Sequence, residues 1–174
     1  LAIFRRLPPG AHVVSTSRGY FSIIGWLKEQ GERGALNVTL FDPRHPETLA
    51  AALRPGETKV VWIETPVNPI FEVVDIAAAA RAAHAAGALL AIDSTAASPI
   101  LTRPLEHGAD LVFHSATKYL NGHSDLNAGA VVASAAIVER TREYAVNHGG
   151  MLDAHACFLL ERGTIRRAVG RVGG

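Results

Sequence analysis

Lys118 lies in a polar, glycine-containing stretch, Ser115-Ala-Thr-Lys-Tyr-Leu-Asn-Gly-His-Ser-Asp125, directly after an apolar run, Asp110-Leu-Val-Phe-His114. A second apolar run, Ala88-Leu-Leu-Ala-Ile92, ends on a carboxylate, Asp93. If both runs are strands of a parallel α/β sheet, their carboxyl ends share one edge, outside which ligands bind. An amine, a carboxylate and the hydroxyls of Ser115 and Thr117 then converge on one crevice. An amine that condenses with an aldehyde, and a carboxylate that pairs with a pyridinium nitrogen, are what pyridoxal 5'-phosphate requires of a protein. The two hydroxyls suit its phosphate. A lysine amine is almost fully protonated at neutral pH, its reference pKa being about 10.4. A dry or cationic surrounding frees it as a nucleophile and as a base.

The elements that must position these groups alternate along the chain. Leu1 to Leu7 reads as the end of a helix, stopped by Pro8-Pro9-Gly10. His12 to Ser15 and Leu36 to Phe41 read as strands. Between them, Ile23, Ile24 and Leu27 recur at helical spacing, with Lys28, Glu29, Glu32 and Arg33 turned outward. Glu47 to Leu53 is a short helix and Lys59 to Glu64 a strand. Thr65-Pro-Val-Asn-Pro69 cannot extend that strand, because proline lacks the ladder donor. Asp75 is placed to cap an alanine-rich helix that ends near Gly87. The strands into Asp93 and Ser115 flank a helical turn at Pro104 to Glu106. Ala128 to Ala133 is a further strand, and Ile137, Val138, Thr141, Tyr144 and Ala145 mark one face of a helix. Strands separated by helices predict parallel βαβ units in an α/β fold, a mostly parallel sheet with flanking helices.

Composition narrows the function classes. The chain has 174 residues, 48% hydrophobic and 19% charged, enough for one sizeable core. A net charge of +1 offers no general attraction for nucleic acid. Cys157 is the only cysteine, so there is no disulfide framework; within an apolar run it reads as a small core residue. No apolar stretch is long enough to span a bilayer, and Leu1 to Leu7 is too short for a signal peptide. A cytoplasmic location is expected. No Gly-x-Gly-x-x-Gly or Walker-type lysine loop supports a nucleotide site.

Three segments, Glu64-Thr-Pro-Val-Asn-Pro69, Asp93-Ser-Thr95 and His114-Ser-Ala-Thr-Lys-Tyr-Leu-Asn-Gly-His-Ser-Asp125, resemble the pyridoxal-phosphate enzymes of cysteine and methionine metabolism. That family includes cystathionine γ-synthase, cystathionine γ- and β-lyases, methionine γ-lyase and O-acylhomoserine sulfhydrylases. The resemblance runs from about Gly10 to Gly163, and the order and spacing of Asn68, Asp93 and Lys118 carry it. It implies the large domain of a fold type I, aspartate-aminotransferase-like transferase, with residues 1–134 as sheet core and 135–174 as helices trailing towards a further domain. It implies that Lys118 is the Schiff-base lysine and that Asp93 pairs with the ring nitrogen. Asn68 would lie near the phenolic oxygen, and Ser115 and Thr117 at the phosphate. Tyr20, by its distance from His12, would stack on the ring and share in catalysis. Full-length members are homotetramers built from dimers. The implied reaction is γ-replacement on O-acylhomoserine or a sulfur amino acid, with γ- or β-elimination as the alternative.

Taken singly, each of these residues has an ordinary explanation. Asp93 could be a cap, Ser115 and Thr117 turn hydroxyls, Asn68 a turn residue between prolines, Lys118 a surface lysine and Tyr20 a half-buried packing residue. Their joint order raises the set above those explanations. His114, His123 and Asp125 match no compact zinc spacing, so no metal is expected. There are departures too. Asp93-Ser-Thr-Ala96 stands where Asp-Asn-Thr-Phe is usual, Phe21-Ser22 where two glycines follow the tyrosine, and Leu126-Asn127 where apolar residues are expected. Methionine γ-lyases tend to carry cysteine at the position of Ser22. The phosphate-binding Gly-Met turn, the arm that reaches into a partner subunit and the carboxylate-binding domain are not in this chain, and Thr164 to Gly174 departs from the expected pattern, as a shifted frame or chimeric end would. The contrasting expectation is therefore a piece without activity of its own, serving at most as an interaction module.

Overall fold

The computed structural model of the chain describes residues 2–169. β1 (His12–Thr16), β2 (Asn37–Phe41), β3 (Thr58–Glu64), β4 (Leu89–Asp93), β5 (Leu111–Ser115) and β6 (Gly129–Ala133) form one sheet in the order β2-β1-β3-β4-β5-β6. The pairs from β2 to β5 are parallel. Parallel neighbours need a crossover, and helices supply it. α2 (Phe21–Glu32), α3 (Glu47–Ala52) and α4 (Ile76–Ala85) join successive strands from β1 to β4. α5 (Ser98–Leu101) and a 3-10 turn (Pro104–His107) join β4 to β5. α1 (Ala2–Arg5) precedes the sheet, and α6 (Ala135–Asn147) and α7 (Ala154–Val169) follow it.

Side chains alternate across a strand, and the central strands are buried on both faces. Val14, Val61, Ile63, Leu90 and Ile92 point to the face covered by α3 and α4, where Leu49, Ile76, Ala79 and Ala83 meet them. Val13, Val60, Trp62, Ala91 and Leu111 point to the other face, against Phe4 of α1 and Leu27 of α2. Full burial of each large aliphatic side chain contributes about 1.5–3 kcal/mol. The same alternation fixes the strand ends. Glu64 follows Trp62 by two residues, Asp93 follows Ala91 and Ser115 follows Phe113, so all three share the α2 face. His114 points to the opposite face, where it is buried.

Connections leave β1 towards β2 and then return past it to β3. Between β1 and β3 the chain therefore diverges, which opens a crevice at the carboxyl ends of those strands. The fold adds two features to the expected pattern and corrects one expectation. β6 runs antiparallel to β5, because the two are joined by the loop 116–128 with no crossover helix. α5 forms at Ser98-Pro-Ile-Leu101, too short for its periodicity to be legible. Cys157 is exposed rather than a core residue, because its face of α7 is uncovered by the described residues. α6 meets its expectation: Ile137, Val138, Thr141, Tyr144 and Ala145 are half-buried while Glu139, Arg140, Arg142 and Glu143 are exposed. Of the C-terminal run from Thr164, residues 170–174 lie outside the described residues.

α4 starts where its cap sits. Asp75 is in extended conformation and its carboxylate accepts the Ala78 N–H at 2.9 Å, satisfying one of the amides a helix start leaves orphaned. Asp75→Ala should lower the unfolding free energy by about 1 kcal/mol in urea titrations, whereas Asp75→Asn should stay close to wild type. Equal losses in the two variants would show that the cap bond contributes nothing.

Candidate functional site

Four adjacent strands deliver the candidate residues to one edge. Tyr20 follows β1 at the entry to α2, Asn68 follows β3, Asp93 ends β4, and Lys118 follows β5. Tyr20 is 48% exposed and its ring meets that of Phe21 at 4.9 Å between centroids. Asn68 is exposed, as is Lys118, whose backbone N–H donates to Ser115 O at 3.0 Å to close the turn.

Asp93 is tied to that turn through Thr95. The Thr95 N–H and hydroxyl both donate to Asp93 Oδ1, at 3.0 and 2.6 Å. Thr95 Oγ1 in turn accepts the Ser115 N–H at 2.8 Å. One oxygen of the carboxylate is thus committed to linking β4 to the lysine turn. Asp93 is buried, and burial is the main reason its carboxyl is pushed up to about 6; the Thr95 bonds oppose the rise and the charge of Glu64 adds to it. The only neighbouring charge that acts on it, among the described residues, is that negative one.

Glu64, the first residue of the Glu64–Pro69 motif, belongs to the site although the sequence pattern does not single it out. Its register partner is Asp93, so two carboxylates lie side by side at the strand ends. Its signal was faint: an acidic residue closing an otherwise apolar strand. Burial raises its pKa, and two backbone amides, those of Tyr20 and Asn68, counter the rise.

The two hydroxyls differ. Ser115 is half-buried on the same face as Asp93. Thr117 is drawn into the protein: its Oγ1 accepts the Ala128 N–H at 2.8 Å and donates to Ala128 O at 3.3 Å, pinning the loop that leads to β6. The far side of the lysine turn is held by α7. Asn121 is fully buried, and its amide donates to Asp125 Oδ1 at 2.7 Å; Asp125 also pairs with Arg162. Gly163 packs so closely that a Cβ there would lie 2.3 Å from Asn121 O. His123 Nδ1 meets Asn121 O at 2.7 Å. Among the described residues no group of three metal-ligating side chains comes together, and no helix is long and apolar enough to cross a membrane.

A sequence model of the family described as Cys/Met metabolism PLP-dependent enzyme matches residues 1–167, past Gly163. The L-methionine gamma-lyase of Porphyromonas gingivalis is 39% identical over 165 residues, which cover 93% of this chain and 41% of that protein. The chloroplastic cystathionine gamma-synthase 1 of Arabidopsis thaliana is 35% identical, over 90% of this chain and 28% of its own. The crystal structure of cystathionine gamma-lyase from Lactobacillus plantarum, complexed with L-serine, superposes with a TM-score of 0.90 at 34% identity, covering 97% of this chain and 44% of that one. The chain spans well under half the length of these relatives, and it belongs to the Cys/Met metabolism family of PLP-dependent enzymes.

The desolvation of Asp93 has a sign that can be read. Its ordinary value is 3.8 and its folded value about 6, so the folded protein holds this proton more tightly than the unfolded chain does. The stability it contributes is fully present below about pH 4 and is lost as pH rises through 6. Asp93→Asn does not titrate. Without cofactor, the unfolding free energy of Asp93→Asn minus that of wild type should therefore grow between pH 4 and 7, by on the order of 2–3 kcal/mol. A pH-independent difference would mean that the carboxyl is not desolvated.

Proposed function

We propose that this member of the family holds pyridoxal 5'-phosphate at the carboxyl ends of β1, β3, β4 and β5 and acts on a γ-substituted amino acid, so that the γ-substituent departs. The observation that carries the reading is Asp93. A buried carboxylate with one oxygen occupied by Thr95, and no cation acting on it among the described residues, lacks a counter-charge. A protonated ring nitrogen is such a counter-charge, and its approach would restore the ionised carboxylate. The residues present fit the group.

When bound, the pyridoxal ring supplies a sink for the electron pair left at Cα. In this reading Lys118 Nζ would be the covalent anchor; once displaced by the amino acid it would take the Cα proton and then a Cβ proton, whose loss lets the γ-substituent depart with its bonding pair, and would return protons to Cβ and Cα afterwards, its exposed turn giving it the reach. Asp93 keeps the ring nitrogen protonated. Tyr20 would lay its ring on the cofactor, adding apolar and stacking contact, and Asn68 would approach the phenolic oxygen. Ser115 takes the phosphate more readily than Thr117, whose hydroxyl already serves Ala128.

Two outcomes share this first step. In γ-replacement a sulfur nucleophile takes the place of the departing group; in γ-elimination none does. We favour γ-replacement on an O-acylhomoserine, because Ser22 stands where methionine-cleaving lyases tend to have cysteine. The relatives include enzymes named for each outcome.

The chain has three lysines, Lys28, Lys59 and Lys118. After incubation with pyridoxal phosphate and borohydride reduction, peptide mapping should place the label on Lys118, and Lys118→Ala should abolish it. Label confined to Lys28 or Lys59 would refute the assignment. In the complete enzyme, Lys118→Ala should reduce turnover by several orders of magnitude, roughly the 10²–10⁴ of a lost proton-transfer group together with the lost anchor. Supplied with O-succinylhomoserine and cysteine, that enzyme should release more thioether than 2-oxobutanoate; the reverse ratio would point to elimination.

A further inference from the structure

Glu64 is 6% exposed and sits where the crevice opens between β1 and β3. Its two oxygens serve different segments. Oε2 accepts the Tyr20 N–H at 2.5 Å, from the connection that follows β1. Oε1 accepts the Asn68 N–H at 2.9 Å, from the connection that follows β3. The approach on the first side is tight. Gly19 has φ +152, and a Cβ at that position would lie 2.6 Å from Oε2. Both Tyr20 and Asn68 are themselves exposed, as is Phe21, whose ring meets that of Tyr20, so surrounding packing holds their side chains weakly.

We infer that Glu64 is a positioning residue: its carboxylate is a clamp that fixes the backbone of Tyr20 relative to that of Asn68, and so sets where the ring-stacking and phenolic-oxygen contacts fall. The inference rests on the cofactor site proposed above. Its logic lies in the donor count. A carboxylate is acceptor-only at both ends, and so satisfies two converging N–H groups at once. A carboxamide cannot, because one end would turn an NH2 towards a backbone N–H. Glu64→Gln therefore keeps the shape and releases one of the two segments. Charge-assisted bonds to backbone amides are also the stronger kind.

The test is a double-mutant cycle read as the rate at which bound pyridoxal phosphate leaves the loaded protein. Borohydride mapping to Lys118 is run first on wild type and on each variant. Glu64→Gln should speed release about tenfold, the worth of one charge-assisted hydrogen bond, and should change the visible circular dichroism of the bound cofactor. In a Tyr20→Ala background, where the ring to be positioned is gone, the same substitution should change release less than twofold. Equal tenfold effects in both backgrounds, or none in either, would overturn the clamp. Gly19→Ala gives an independent arm that retains the carboxylate but crowds it. Its Cβ displaces Oε2 from Tyr20, so it should reproduce the loss and again depend on the Tyr20 ring. If Glu64→Gln does not fold, that arm alone decides, by the same criteria. Wild-type label on Lys28 or Lys59 would instead overturn the site on which the clamp depends.

Discussion

Two carboxylates, Glu64 and Asp93, are buried side by side at the ends of neighbouring parallel strands, and the cost of holding charge there organises the surrounding backbone. Ionised carboxylates in a desolvated place must be hydrogen-bonded or they take up a proton. The two meet this demand differently. Glu64 draws amides from both sides of the β1–β3 crevice and spends both oxygens on them. Asp93 takes only Thr95, through one oxygen, and its carboxyl rises to about 6. One acid is structurally spent and the other is left in need of a positive partner. The ring nitrogen of the proposed cofactor would answer the second and has nothing to offer the first.

Much of the architecture was legible because it rests on local rules. Apolar runs of about five residues, each closed by a polar residue, gave the strands. The Asp75 cap was visible because a capping carboxylate and its amide lie three residues apart. The sharing of one edge by Asn68, Asp93 and Lys118 followed from strands all running the same way. What escaped the reading depended on distant partners. Glu64 acquires its character from an amide 44 residues earlier, and nothing near it in the chain announces that. The direction of β6 was hidden because a loop of about a dozen residues can return a chain either way, and only pairing with β5 decides. Cys157 sits in an apolar run whose environment is set by what α7 meets, not by the run itself.

Thr117 shows how a hydroxyl at a suggestive position can be diverted. The Ala128 amide and carbonyl capture it, so that the loop between β5 and β6 is fastened to the turn carrying Lys118. The turn is then held at four points: Ser115 by Thr95, Thr117 by Ala128, Asn121 by Asp125, and the backbone of Asn121 by the close approach of α7. Lys118 is exposed but the frame around it is not loose. A long flexible side chain on a rigid turn combines reach with a fixed origin, as the role proposed for Lys118 requires.

The contact at Gly163 has an evolutionary corollary. With no room for even a methyl group against the Asn121 backbone, the helix and the turn cannot drift independently. A lineage that acquired a side chain at 163 would have to re-thread residues 121–125 and find a new companion for Asp125 in the same step. Changes at positions 121 and 163, 42 apart in the chain, are therefore expected to occur together, with divergence between relatives accumulating around this junction rather than through it.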